Sequence, residues 1–178
     1  MTPTLEQYSE SSLDMRVVGV PVRSMRGDDE QDPALLRGML SAAETYLRSF
    51  SWCGHILSSF FGGGVGGVFA VFLFKIQPER PMVGSWIWVV VGDIPSACLP
   101  LEGCKSPADV FERYMWGIEK WIELAREGRI GTADDGVPPI NVPATPEWAD
   151  KLERSLRLLT LEVKPFFDKA EESNPAVC

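Results

Sequence analysis

From Ser49 to Phe74 the chain carries no formal charge, and the middle of that stretch reads Gly62-Gly63-Gly64-Val65-Gly66-Gly67. A second apolar run, Ser85-Trp86-Ile87-Trp88-Val89-Val90-Val91, follows and closes on Gly92-Asp93-Ile94-Pro95. Three structures accommodate such a block: a membrane helix, a phosphate-binding loop or a buried sheet. The stretch exceeds the roughly 20 residues a helix needs to cross a bilayer. Five of the six residues from Gly62 to Gly67 are glycine, however, and each costs a helix interior about 1 kcal/mol against alanine. Membrane helices space their glycines along one face, and here only Arg48 and Lys75 flank the stretch closely. No stable membrane span is expected.

The phosphate loop fails on context. Gly62, Gly64 and Gly67 satisfy G-x-G-x-x-G, but a dinucleotide site needs that loop to open a helix. Val68-Phe-Ala-Val-Phe-Leu-Phe74 follows instead, an aromatic and β-branched run. A kinase-type loop lies between strands and Lys75 is suitably placed, yet H-R-D and D-F-G are missing and the chain is too short. No cofactor is expected.

The buried sheet remains. Gly54–Phe61, Val68–Ile76 and Ser85–Val91 read as three strands, with the glycines as the first connection. Gln77-Pro-Glu-Arg-Pro-Met-Val-Gly84 makes an exposed second turn. Both connections are too short for crossover helices, so the pairing is antiparallel. The second and third strands are apolar on both faces, which places them centrally under cover. Arg16–Val22, with Pro21, adds an edge strand.

The cover comes from three amphipathic helices, each announced by a capping side chain and a proline: Asp32-Pro33, Ser106-Pro107 and Thr145-Pro146. Their stripes run Leu36–Phe50, Phe111–Ala125 and from Leu152 to Phe166 or Phe167, with Gly128 stopping the second. Pro165 kinks the third or ends it near Val163. Ile130 to Ala144, rich in glycine and proline, is an ordered loop. The expected fold is a single α+β domain over residues 15–170. Its antiparallel sheet has three or four strands and packs against three helices, between a flexible N-terminus (1–14) and a flexible tail (171–178).

The 178 residues carry a net charge of −8, which repels nucleic acid and anionic membrane and attracts basic partners. The first residues lack a basic, then apolar, leader, so a reducing cytoplasm and free thiols are expected for Cys53, Cys98, Cys104 and Cys178. No C-x-x-C pair occurs, and Cys53 with His55, the only histidine, offers two metal ligands and no second pair. No metal site is expected.

Catalytic signals are sparse. Asp93 sits at a strand end beside glycine, a common place for a catalytic carboxylate and equally for a turn cap. Its potential helpers are Glu102 and Asp109, and Asp109 at the third helical position is explained by the helix dipole. Cys53 and His55 lie two apart, so a nucleophile–base pair is conceivable on one side of a strand. One alternative is therefore a small enzyme or ligand-binding protein using Asp93 with Cys53 and His55 nearby.

The six tryptophans carry more. Trp86 and Trp88 share one strand face, Trp121 lies on a helix stripe, and Trp116 lies off it. Stacking platforms for single strands need basic residues between the aromatics, and the charge here has the opposite sign. Core packing accounts for most of them. A protein-binding surface accounts for Trp116 with Glu119, Glu123 and Asp93.

Phe72-Leu73-Phe74-Lys75-Ile76, Pro78 and Trp86-x-Trp88-Val-Val-Val-Gly92-Asp93-Ile94-Pro95 resemble a family of small bacterial proteins without an assigned function. The likeness runs into Ile140-Asn-Val-Pro143-Ala-Thr-Pro146-Glu-Trp148 and covers about residues 65 to 165. It implies no catalytic residue. Size, acidity and α+β build also resemble immunity proteins, which bind and neutralise toxins in bacterial competition. That resemblance implies a non-enzymatic inhibitor of a basic toxin.

Overall fold

The computed structural model of the chain describes residues 18–26, 31–81 and 83–173. The expected N-terminal segment 1–14, the start of the Arg16 edge strand and Cys178 lie outside them. Within them, β1 (Val20–Pro21), α1 (Asp32–Arg48), β2 (His55–Val65), β3 (Phe69–Gln77), β4 (Trp86–Gly92) and β5 (Ala97–Pro100) come first. They are followed by α2 (Pro107–Arg126), α3 (Pro146–Glu162) and α4 (Lys164–Glu172). The strands form one antiparallel sheet in the order β1-β2-β3-β4-β5, so every neighbour in the sheet is also the neighbour in the chain.

The α+β class and the antiparallel pairing stand as read from the sequence. The strand count does not: there are five. β5 has only four residues and itself ends on Pro100, too short for an alternating pattern. The glycine run is also mostly strand rather than connection. Gly63, Gly64 and Val65 pair with Val71, Ala70 and Phe69, and only Gly66 to Val68 turn, closed by Val68 N–H donating to the Val65 carbonyl at 3.0 Å. The register skips at Leu57 and at Gly62, two bulges that bend β2. The edge strand shrinks to two residues, because Val22–Ser24 wind into a 3-10 turn directly after Pro21.

Alternation along β3 and β4 builds two cores. Phe69, Val71, Leu73, Trp88 and Val90 face α2, α3 and α4. Ala70, Phe72, Phe74, Ile76, Ile87, Val89 and Val91 face α1, which contributes Leu36, Met39, Ala43 and Leu47. All six residues from Phe69 to Phe74 are fully buried, as a strand covered on both faces requires. At about 1.5–3 kcal/mol per large apolar side chain buried, this central hairpin is the largest contributor to the fold. The Trp88 indole N–H satisfies itself on the Cys104 carbonyl at 2.9 Å.

Two of the three expected caps form. The Ser106 hydroxyl accepts the Asp109 N–H (3.1 Å) while the Asp109 carboxylate accepts the Ser106 N–H (3.0 Å), a closed capping box. Thr145 accepts the Trp148 N–H at 3.3 Å. Asp32 does not cap: α1 starts one residue early, with Gln31 at the cap position and no side-chain bond there. Gly128 stops α2 as expected. Arg129 N–H reaches the Leu124 carbonyl and Gly128 N–H the Ala125 carbonyl, the paired bonds of a Schellman turn. Pro165 ends α3 at Val163, and the chain restarts as α4, which runs through Glu172 and so past the expected domain end at 170. The missing side chains of the glycine run matter here. A Cβ on Gly63 would come within 3.0 Å of Phe166 and 3.2 Å of Phe167. α4 lays both rings onto that bare patch of sheet, with Phe167 stacked on Phe111 at 5.2 Å.

Candidate functional site

The residues proposed for chemistry do not meet. His55 is exposed at the first position of β2, opposite Gln77. Asp93 follows the last position of β4, beside the turn at the other end of β2. The eleven residues of β2 span about 30 Å at some 3.3 Å each. Cys53 is close to His55 in sequence but buried, and it precedes the strand, so the expected shared side of a strand does not apply. Burial raises the Cys53 thiol above its ordinary pKa, partly opposed by the Arg48 charge, which is the opposite of what a nucleophile needs. Burial likewise raises Cys98 and Cys104. Glu102 is exposed on a turn, and Asp109 is occupied by the capping box.

Asp93 keeps a distinct setting. It borders a shallow groove of about 410 Å³ between α1 and the sheet end, lined also by Leu35, Gly38, Met39, Gly67 and Gly92. Its backbone N–H donates to the Val68 carbonyl at 3.1 Å. Its carboxylate makes no hydrogen bond among the described residues, so the turn is closed by backbone and not by the aspartate side chain. The Gly67 N–H in this groove meets only a soft acceptor, the Met39 sulfur at 3.2 Å.

The residues proposed for partner binding divide between two places. Asp93 opens toward α1, on the opposite side of the sheet from the other three. Trp116, Glu119 and Glu123 lie three to four residues apart along α2, on its outward face. Trp116 is 52% exposed, with its ring against Gly136. The opposite face of α2 is fully packed through Phe111, Tyr114, Ile118, Trp121 and Ala125. Tyr114 donates to the Pro95 carbonyl at 2.8 Å. The helix is therefore a fixed platform, and Trp116 stands on it without contributing to the core.

α3 lies antiparallel beside α2. Arg126 reaches Asp150 at 2.8 Å at one end, and Lys164 reaches Glu112 at 2.9 Å at the other. Between the helices runs an open groove of about 600 Å³, with Ile122 and Leu156 in its floor and Glu119, Glu123 and Arg157 on its walls. Leu158 (54% exposed) and Leu161 (74%) crown α3 beside it. The third-helix stripe was visible in the sequence. The outward leucines were not singled out, because they read as scatter until α3 is placed against α2.

Among the described residues no helix is long and apolar enough to cross a membrane, and no cluster of metal-ligating side chains forms. Set against family models, curated proteins and solved structures, the chain matches none.

Proposed function

We propose that the chain is a non-enzymatic protein-binding module that meets its partner through the outward face of α2 and the adjoining groove. One observation carries this reading. A half-exposed tryptophan with two glutamates stands on a helix whose other face is fully packed. Tryptophan is the residue most enriched at interface anchor points, and a rigid platform limits the ordering cost of binding. The net charge of −8 and Glu119, which has no ion pair among the described residues, favour a basic partner, which acidic surfaces also attract from a distance. In its sharpest form the module is an immunity-type inhibitor that neutralises a basic toxin by direct binding.

The test is affinity capture from the native host with the wild-type chain and with Trp116→Ala/Glu119→Lys/Glu123→Lys. A stoichiometric basic protein held by the wild type and lost by the variant is the expected result. Recovery of no such protein, or equal recovery by a correctly folded variant, overturns the reading. If the captured protein is toxic to cells, co-expression of the wild type protects them.

A further inference from the structure

Three of the seven large hydrophobic side chains left exposed among the described residues stand on α2 and α3: Trp116 on the first, Leu158 and Leu161 on the second, with Leu161 lining the groove between them. Their charged neighbours are mixed in sign: Glu119, Lys120, Glu123 and Arg126 stand on α2, and Asp150, Glu153, Arg154 and Arg157 on α3. The ion pairs at the two ends of the helix pair fix how the residues align. Arg126 is level with Asp150 and Glu112 with Lys164, so the antiparallel register holds along the whole contact. Glu119 is then level with Arg157, and Glu123 with the Glu153–Arg154 step. Trp116 falls between the levels of Leu158 and Leu161.

A twofold axis parallel to the helices, above the groove, lays α2 of one copy over α3 of another at equal height. Glu119 then meets Arg157 and Trp116 meets the two leucines, while Glu123 meets the Glu153–Arg154 step with one like and one opposite charge; the two Glu119–Arg157 meetings supply the self-match of an isologous interface. We infer that this face is self-complementary and that the chain forms a homodimer through it. Trp116 of one copy packs between Leu158 and Leu161 of the other, and Glu119 pairs with Arg157 across the axis, twice. Within one chain Glu119 has no ion pair among the described residues, and Arg157 has only a loose one to Glu153 at 3.5 Å. Neither charge has to abandon a strong partner. The two helix pairs together make a four-helix layer, a packing that helices with apolar crests commonly adopt. A basic partner and the second copy compete for one face, so the dimer is the resting form that the partner opens.

The experiment is sedimentation velocity and light scattering on the isolated full chain over a concentration series, which needs no partner and leaves the partner reading to its own test. The wild type is expected at twice the mass of one chain, dissociating on dilution. Leu161→Asp is expected to be monomeric throughout. Glu119→Arg and Arg157→Glu should each weaken the dimer about tenfold, and the double variant should regain most of that loss, the pattern of a direct charge pair. Circular dichroism checks that each variant is folded. A wild-type mass of one chain at every concentration overturns the inference. So does a dimer indifferent to Leu161→Asp, or a double reversal no tighter than either single change.

Discussion

The two covers of the sheet differ in what they leave on the outside. On one face, α1 alone spreads Leu36, Met39, Ala43 and Leu47 over seven strand residues, and its outer side is mostly polar, with Arg37, Ser41, Glu44 and Arg48. On the other, three helices bury a larger set that includes Trp88, Tyr114, Phe111 and Phe167, and they still expose Trp116, Leu158 and Leu161. The same two strands supply both faces, so the sheet does not dictate the difference. A helix needs only one buried stripe to be held, and α1 stays close to that minimum, leaving Leu35, 46% exposed, as its one large apolar residue outside. The extra apolar residues on α2 and α3 exceed what folding asks of them, which is why they are read as binding surface.

The comparison is most severely tested in the cores. Trp88→Ala removes a fully buried indole and leaves the Cys104 carbonyl without its donor, and is expected to cost about 4 kcal/mol. Met39→Ala, the matching loss under α1, is expected to cost about 2 kcal/mol, since a flexible side chain at the helix–sheet margin leaves a site that collapses more easily. Urea denaturation ranks the two, and equal costs would remove the asymmetry claimed for the faces.

The glycine run gives the next contrast, between strand and turn. Gly64 has φ +157°, and a Cβ there would lie 2.3 Å from the Phe69 carbonyl oxygen, so Gly64→Ala must displace the β2–β3 ladder at about 3 kcal/mol. Gly67 has φ +78° with nothing nearer than 3.9 Å, so Gly67→Ala pays only for its left-handed backbone, about 1 kcal/mol. Thermal melts of the two variants separate the effects; a Gly67→Ala melt as low as that of Gly64→Ala would show that the turn, not the ladder, limits this hairpin.

Smaller again is the effect of the exposed residues on stability. Leu161→Ala is expected to change unfolding free energy by less than about 0.5 kcal/mol at concentrations where the chain is monomeric. A loss of several times that size would mean that Leu161 belongs to the core after all.

The last contrast is with pH. Asp135 accepts the Thr132 N–H at 3.0 Å and its hydroxyl at 2.9 Å, and the backbone bond first, then the hydroxyl, hold its carboxyl below the ordinary carboxylate pKa. A carboxylate depressed in the folded state contributes order that is fully present above its unfolded pKa and is lost as the pH falls through the lower folded value. The 132–137 turn should therefore loosen only in acid. Because the Trp116 ring rests on Gly136, the emission lost on Trp116→Phe, which isolates this ring from the other five tryptophans, reports the change. Acid-side emission should shift in the wild type at a higher pH than global unfolding, and Asp135→Asn should show the shifted emission already at neutral pH. No difference between the two proteins would detach Trp116 from that turn.

Much of the architecture was legible because it rests on local rules. Ser106-Pro107 and Thr145-Pro146 mark helix starts by the groups they satisfy within four residues, and Pro165 ends α3 by the hydrogen bond it cannot make. The doubly apolar runs of β3 and β4 announced cover on both faces, which α1 and the three later helices provide. The failures have physical causes too. Asp32 looked like a cap because a cap is one residue among several acceptable ones, and the chain began its helix at Asp32 itself, with Gln31 in the cap position. β5 is four residues ending on a proline, and although it pairs with the strand just before it, so short a strand shows no period of its own. Asp93, His55 and Cys53 looked combinable because nothing local forbade it, and the length of β2 then set Asp93 far from the other two.

The amino-acid sequence on its own determined the class of fold, the antiparallel order of the central strands, where two of the helices start and that Trp116 stands off its helix stripe. These follow from side-chain period, backbone chemistry and connection length, all properties of neighbouring residues. Only the tertiary structure decided that most of the glycine run is strand, because that depends on Phe166 and Phe167 arriving from the far end of the chain to fill the space the glycines leave. It alone decided, too, which outward residues share a face. Leu158 and Leu161 become one surface with Trp116, Glu119 and Glu123 only when α3 docks antiparallel to α2, a relation between segments some forty residues apart that no local pattern encodes.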